Sequence, residues 1–470
     1  MTLKIVLESI AAITETTKTT VLQVILLSAI VWFIANSIRT WYRLRYFKGP
    51  WLASFSSVWM AYAQLSGRMY EKYPEVSRKY GPYARIGPNT LLTNNLQLLR
   101  SMSAARSPYG RSNYYAGLQM DSRGESILSM TNTADHDALR AKMATAFAGK
   151  ENDSLESDID SQIMELVTLL RCKYLSTDTY TKLADLGDII IYFAMDAVSK
   201  IAYGESFGYL RRDEDVHKYL TTFRQAAKLI TIATDVPALR SYHRFMMRYF
   251  SPTVKDKTGL GRMMAVGNKI VSQRYHSGED KRDMLGGMKR HGLTKLQAEI
   301  ETITTLMAGA ETTSTAVRTG LLYLITSPVI LQNLRLELRR NGHLDSPDDQ
   351  CISKADADKL PYLQACIKEI LRMNPPFAGM LEKAVPDGGD YINGHYVPGG
   401  TGIAHSTFSL QRDTEIFGHD PEIFRPERWI QASPEQLRTM NDAVDMVFGY
   451  GRWGCIGRPI AYIELTITEI

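Results

Sequence analysis

Near its C-terminal end the chain reads Phe448-Gly449-Tyr450-Gly451-Arg452-Trp453-Gly454-Cys455-Ile456-Gly457. The glycines permit tight turns and a close approach of backbone to a flat ligand. Beyond the cysteine, Ile456, Ile460, Ile463, Ile467 and Ile470 step by four, three, four and three residues, which is the seam of a helix. Cys455 therefore stands where a glycine-rich loop feeds a helix, and a helix N-terminus favours a thiolate. A thiolate held in a compact loop is what an axial ligand to iron requires. A lone cysteine in such a turn is ordinarily a core residue; its surroundings set this one apart.

The rest of the composition is that of a globular protein: 470 residues, 44% apolar and 22% charged, with 18 Pro and 33 Gly. The four cysteines, Cys172, Cys351, Cys366 and Cys455, form no CxxC pair; they exclude a disulfide scaffold and suit a reducing compartment. A net charge of +5 over this length is mild and gives no argument for a nucleic-acid partner. One large domain fits the length.

Toward the other end, Val21 to Ile38 contains only Gln23, Ser28, Asn36 and Ser37 as polar residues. As a helix it would reach about 27 Å, enough for a thin bilayer such as that of the endoplasmic reticulum. Arg39, Arg43, Arg45 and Lys48 follow, and Trp32, Trp41 and Tyr42 suit interfacial positions. The positive-inside rule then predicts a short lumenal N-terminus over residues 1–20, a single span over 21–38, a basic Gly49-Pro50 hinge over 39–50, and a cytosolic catalytic domain over 51–470. In a cleaved signal peptide the basic residues would precede the apolar run. With the domain in the cytosol, the sequon Asn152-Asp153-Ser154 never meets the glycosylation machinery.

Helical patterning dominates the body, notably Asp188 to Tyr203, Leu293 to Thr326 with Thr294 as N-cap, and Leu360 to Met373 ended by Asn374-Pro375-Pro376. From Lys383 to Thr401 the texture becomes Gly, Pro, Asp and short β-type runs. The expected fold is mainly α with a small β part.

Further motifs fall in order along the chain. Glu369 and Arg372 are three apart on one helix face. Phe424-Arg425-Pro426-Glu427-Arg428-Trp429 follows. Ala308-Gly309-Ala310-Glu311-Thr312-Thr313 is locally weak helix, which predicts an opening where hydroxyls leave their backbone partners; close helix packing is the other reading. His136 and Arg140 are four apart and suit a carboxylate.

Together with the cysteine loop these motifs resemble the cytochrome P-450 family over residues 49–470, Gly49-Pro50-Trp51-Leu52-Ala53 and Tyr80-Gly81-Pro82 included. Within the family the chain looks most like the fungal pisatin demethylase-like class. The resemblance implies the cytochrome P-450 fold preceded by one N-terminal transmembrane helix, with heme b bound through Cys455 as the proximal thiolate. It implies that Phe448 packs near the sulfur, that Gly451 permits the turn, and that His136, Arg140 and Arg452 belong to the cofactor-binding set. The family's usual arginine two before the cysteine is Trp453 here, with Arg452 three before it. Glu369, Arg372 and Arg428 would form a structural triad, and Glu311 with Thr312 would organise proton delivery to dioxygen.

The implied activity is a haem-thiolate monooxygenase that inserts one oxygen atom from O2 into a hydrophobic small molecule of fungal secondary metabolism. Without a Rossmann fingerprint or flavin region, electrons would come from a membrane-bound NADPH-cytochrome reductase docking near Arg452 and Arg458. Substrate contacts are expected around Ser107 to Ser122, from Phe207 to Met246, on the long helix before Glu311, and from Pro376 to Leu381. Ile470 ends the sequence on the apolar seam, where family members continue into a β hairpin, so the catalytic domain is expected to be C-terminally short. The alternatives are a haem-thiolate isomerase or dehydratase needing no reductase, against which Glu311-Thr312 argues, and an inactive truncated remnant.

Overall fold

The computed structural model describes residues 2–344 and 351–468. The architecture is mainly helical with a small sheet part, as the patterning predicts. At its centre runs the helix Lys295–Thr326, started by a reciprocal cap between Thr294 and Gln297. It packs along the apolar helix Leu186–Tyr203 so closely that a Cβ on Gly309 would lie 2.7 Å from Val198 Cγ2. The small residues of 308–310 thus serve close packing. The opening expected there does not occur: the helix is continuous, and the Thr312 hydroxyl donates to Ala308 O at 2.7 Å. This back-bond satisfies the hydroxyl within the turn, so nothing drives it out.

The helix Pro361–Met373 begins with its proline at the first position, where no N–H is needed, and ends at Asn374 as expected. The β part exceeds the expectation. Strands β5 (Asp390–Ile392) and β6 (His395–Val397) form the short hairpin foreseen between Lys383 and Thr401. A second sheet has the order β1-β2-β7-β4-β3, built from β1 (Tyr83–Gly87), β2 (Thr90–Thr93), β3 (Gly110–Arg111), β4 (Lys383–Ala384) and β7 (Gly402–His405). β2 and β7 are parallel, although more than 300 residues separate Thr90 from its partner Gly402. An apolar cluster on this sheet, including Met60, Tyr73, Tyr114 and Met380, lies beside the main core.

The N-terminal helix runs unbroken over Thr2–Arg43, with no change of structure at residue 20. Its Thr20–Arg43 part, with mean hydropathy 2.2, is long and apolar enough to cross a membrane and is almost wholly exposed. Contacts with the body flank the Gly49-Pro50 segment expected to act as a hinge. Leu44 and Phe47 are buried in the main core, and the Arg85 N–H donates to Lys48 O at 2.8 Å. The buried Arg85 guanidinium donates to Thr40 O at 2.9 Å and Trp41 O at 3.1 Å, last-turn carbonyls of the N-terminal helix. It also reaches Ser54 O, Pro88 O and Gly87 O. A guanidinium presents a rigid fan of donors, and here it closes a helix end onto a strand. Burial lowers its pKa to about 10, which leaves it charged at neutral pH.

After Cys455 a helix spans Arg458–Thr468, with Ile460 buried and Ile456 and Ile463 half-buried on the expected seam. Ile470 and the side chain of Ile467 lie outside the described residues.

Candidate active site

The cysteine loop closes on itself. Cys455 N–H donates to Phe448 O at 2.6 Å, and Gly451 takes φ +56, where a Cβ would run into Ser103 O. Gly451 therefore serves both a left-handed turn and a close approach. Phe448 packs on Tyr462 with ring centroids 5.2 Å apart. The Cys455 residue keeps accessible surface while the surrounding loop encloses it. That enclosure pushes the thiol above its ordinary value, against the pulls of the Gly457 N–H, Arg140 and Arg458. The Gly457 and Arg458 N–H groups at the helix start do favour the thiolate as expected, but burial outweighs them. A metal-bound thiol is deprotonated outright, so coordination would override the balance.

Arg140 projects from the helix Thr133–Phe147 and its Nη1 donates to Gly454 O at 2.7 Å, bracing the loop. His136, one turn earlier, is buried against Trp453 with centroids 4.6 Å apart. Burial and Arg111 lower its pKa to about 4, Asp137 opposing, so the ring is neutral at neutral pH. Arg452 turns outward to Asp137 at 3.1 Å, and Arg458 pairs with Asp445 at 2.6 Å. Both arginines expected to face a redox partner thus already hold a carboxylate.

Two cations missed in the sequence complete this region. Arg111 lies 4.8 Å and Lys383 Nζ 4.5 Å from the Trp453 ring. Arg111 donates to the carbonyls of Ile127, Leu128 and Met130, yet its Nε has no partner. Lys383 is pushed well below its ordinary pKa by burial and then by Arg111. His405, lowered to about 4 by burial and Lys383, and Trp453 each keep a buried ring nitrogen unpartnered. Among the described residues no carboxylate forms an ion pair with Arg111, Arg140 or Lys383. Buried cations without a counter-charge are costly. Beside an accessible thiol, such a cluster fits a flat ligand carrying carboxylates, as haem does. The signal in the sequence was weak: one basic residue in the loop assigned to substrate, another in a β run.

On the long helix, Glu311 is half-buried, and burial raises its pKa against Arg318 and Arg224. Ala308 beside it is exposed, which opens this turn of the helix. The next threonine, Thr313, donates to the buried Glu464 at 2.8 Å, a link invisible in the sequence. Burial holds Glu464 at about 7.

The structure does bring Glu369, Arg372 and Arg428 together. Arg372 donates to both Glu369 oxygens at 2.8 Å and Arg428 Nε to Oε1 at 2.9 Å, with all three buried. Trp429 Nε1 and the Arg425 N–H add further donors at 2.9 Å. Burial alone would raise Glu369, but these donors outweigh it and hold the carboxyl below its ordinary value.

A cysteine loop braced by arginine and flanked by buried cations, in a chain whose central helix carries an acid–alcohol pair, has the motif set of a haem-thiolate oxygenase. The chain belongs to the cytochrome P450 family, whose model matches residues 48–468. It is 40% identical over 451 residues to cytochrome P450 monooxygenase ABA1 of Pyricularia oryzae, covering 94% of this chain and 88% of that one. It is 34% identical over 422 residues to aba1 of Botryotinia fuckeliana, covering 88% and 82%, and 31% identical over 471 residues to abl1 of Leptosphaeria maculans, covering 97% and 81%. The family uses haem iron held by a cysteine thiolate, and the chain is an oxidoreductase that incorporates oxygen from O2.

Proposed function

We propose that this chain is a membrane-anchored monooxygenase of the endoplasmic reticulum, fed by NADPH-cytochrome reductase, that oxidises a hydrophobic small molecule of fungal secondary metabolism. Substrate, O2, NADPH and a proton yield the hydroxylated product, water and NADP+. The observation that carries the reading is the uncompensated cation cluster around Trp453 next to the accessible Cys455. Haem bound here supplies reductive activation of dioxygen and oxygen insertion. Cys455 would hold the iron through its sulfur. Arg111, Arg140 and Lys383, with His136 and His405 beside them, would donate to the cofactor's carboxylates. Phe448 shields the sulfur, and Glu369, Arg372 and Arg428 fasten the scaffold beneath. Glu311, kept from ready ionisation by burial, and the Thr312 hydroxyl hold and pass protons at the exposed turn near Ala308.

The anchor reading rests on the exposed Thr20–Arg43 helix, with the basic residues after it keeping the body cytosolic. An open groove beside the helix after Cys455 is lined by Lys354, Lys368, Asp445 and Arg458, and an acidic electron donor docking there would exchange its own carboxylates for the Asp358 and Asp445 that now hold Lys354 and Arg458.

The test is the reduced, carbon monoxide-bound difference spectrum of the full chain in microsomes beside Cys455→Ala, followed by turnover with and without reductase. A red-shifted Soret band lost in the variant, with turnover only when reductase is present, is the expected result. No such band at good expression refutes the assignment.

A further inference from the structure

On the long helix every residue from 298 to 307 is buried, and among them are two glutamates with different fates. Glu299 is satisfied: Arg123 Nη1 donates to its Oε2 at 2.6 Å, and Arg123 also holds Asp121. Glu301 is not. Its Oε1 accepts the Ile127 N–H at 2.7 Å, but Oε2 is buried with no hydrogen-bond partner. Burial pushes this carboxyl up to about 8, the Ile127 N–H opposing, so at neutral pH it carries a proton that Oε2 can donate.

Position adds a second, independent argument. Ala308 follows Glu301 by seven residues and Thr312 by eleven, so at 3.6 residues per turn both lie within about 20° of its direction. Glu301 therefore stands on the stripe that carries the exposed Ala308, about 10 Å along the helix, and the relay threonine, about 16 Å along it. The opposite wall is fixed, since Ile127 is gripped on both sides: Glu301 accepts from its N–H, and Arg111 Nη1 donates to its C=O at 2.7 Å.

We propose that Glu301 is a specificity-determining residue that hydrogen-bonds an oxygen-bearing end of the substrate, while the apolar remainder extends toward Ala308 and Thr312, where oxidation occurs. The substrate class is then an elongated, largely apolar molecule with a terminal hydroxyl or carboxyl, oxidised about 10–16 Å from that end. The inference rests on the oxygenase reading above and adds the polarity and length of what is oxidised. A site built to hydrogen-bond an oxygen rejects the analogue lacking it, because its own buried group is then left unpaired.

The experiment uses the haem-loaded full chain in microsomes, with dodecane, 1-dodecanol and dodecanoic acid as probes and the high-spin shift of the Soret band as readout. In the wild type the alcohol or the acid should half-saturate at least tenfold below dodecane. Glu301→Leu should bring the ratio to within twofold, and Glu301→Gln, which keeps a donor and an acceptor, should retain a preference for the alcohol. Should the Leu variant fail to fold, Glu301→Asp, one methylene shorter, should cut the ratio at least threefold. Equal affinities in the wild type, no shift with any probe, or a ratio unmoved by the Leu or Asp change overturns the inference. The carbon monoxide band separates the two claims: its absence from the wild type defeats the oxygenase reading, whereas its presence without oxygen discrimination defeats this one alone.

Discussion

Thr313 Oγ1 donates to Glu464 Oε2 at 2.8 Å, tying the long central helix to the helix that follows Cys455. Both side chains are buried, so the bond joins the two helices through protein alone. Thr313→Val removes the donor that Glu464 Oε2 accepts. The expected cost is about 1–3 kcal/mol, read as a lower midpoint for thermal loss of the carbon monoxide band. An unchanged midpoint would show that the bond contributes nothing.

The Glu369 carboxyl collects donors from Arg372, Arg428, Trp429 and the Arg425 backbone, all within 2.9 Å. Glu369→Gln strands two buried guanidinium groups, and breaking a buried pair from one side costs about 3–5 kcal/mol. Holoprotein yield should collapse, while turnover per haem in any surviving fraction stays near wild type. A variant with full haem and no turnover would place Glu369 in the chemistry instead.

Arg111→Leu and Lys383→Leu each remove one buried cation from the surroundings of Trp453. Haem titration of the purified variants should show weaker retention than wild type, because a charged donor to the cofactor's carboxylates is gone. His136→Phe should have the smaller effect, since that ring is already neutral. The reverse ranking would move the carboxylate site away from Arg111 and Lys383.

Asp235 is buried among Gln64, Tyr114, Arg240 and Glu382, and burial raises it from 3.8 to about 7, Arg240 opposing. The folded state then binds a proton that the unfolded chain has released, so this contribution is full below about pH 4. It is lost as pH rises through about 7. Asp235→Asn abolishes the dependence. Melting temperatures between pH 5 and 8 should fall for the wild type relative to the variant, and parallel curves would refute the assignment.

Local chemistry made part of this molecule readable. The helix over Pro361–Met373 followed from a starting proline and an Asn-Pro stop, and the cysteine loop from its glycines. Glu369 and Arg372 showed their shared face by spacing, but the third partner, Arg428, came from resemblance, because no local rule joins residues 59 apart. Arg111, Lys383 and Glu464 were illegible for the same reason: each matters through what the fold places against it. The parallel pairing of β2 with β7 gave no periodic signal in strands of four residues. Gly49-Pro50 looked like a hinge because its stiffening comes from Arg85, on a strand not yet reached in the chain.

That grip has a mechanical result. With its last carbonyls held by Arg85, and Leu44 and Phe47 sunk in the core, the N-terminal helix meets the body through hydrogen bonds and packing and not through a bare linker. If that helix is the anchor proposed above, a tilt of it would be passed to the body through these contacts, and the aim of the site would follow.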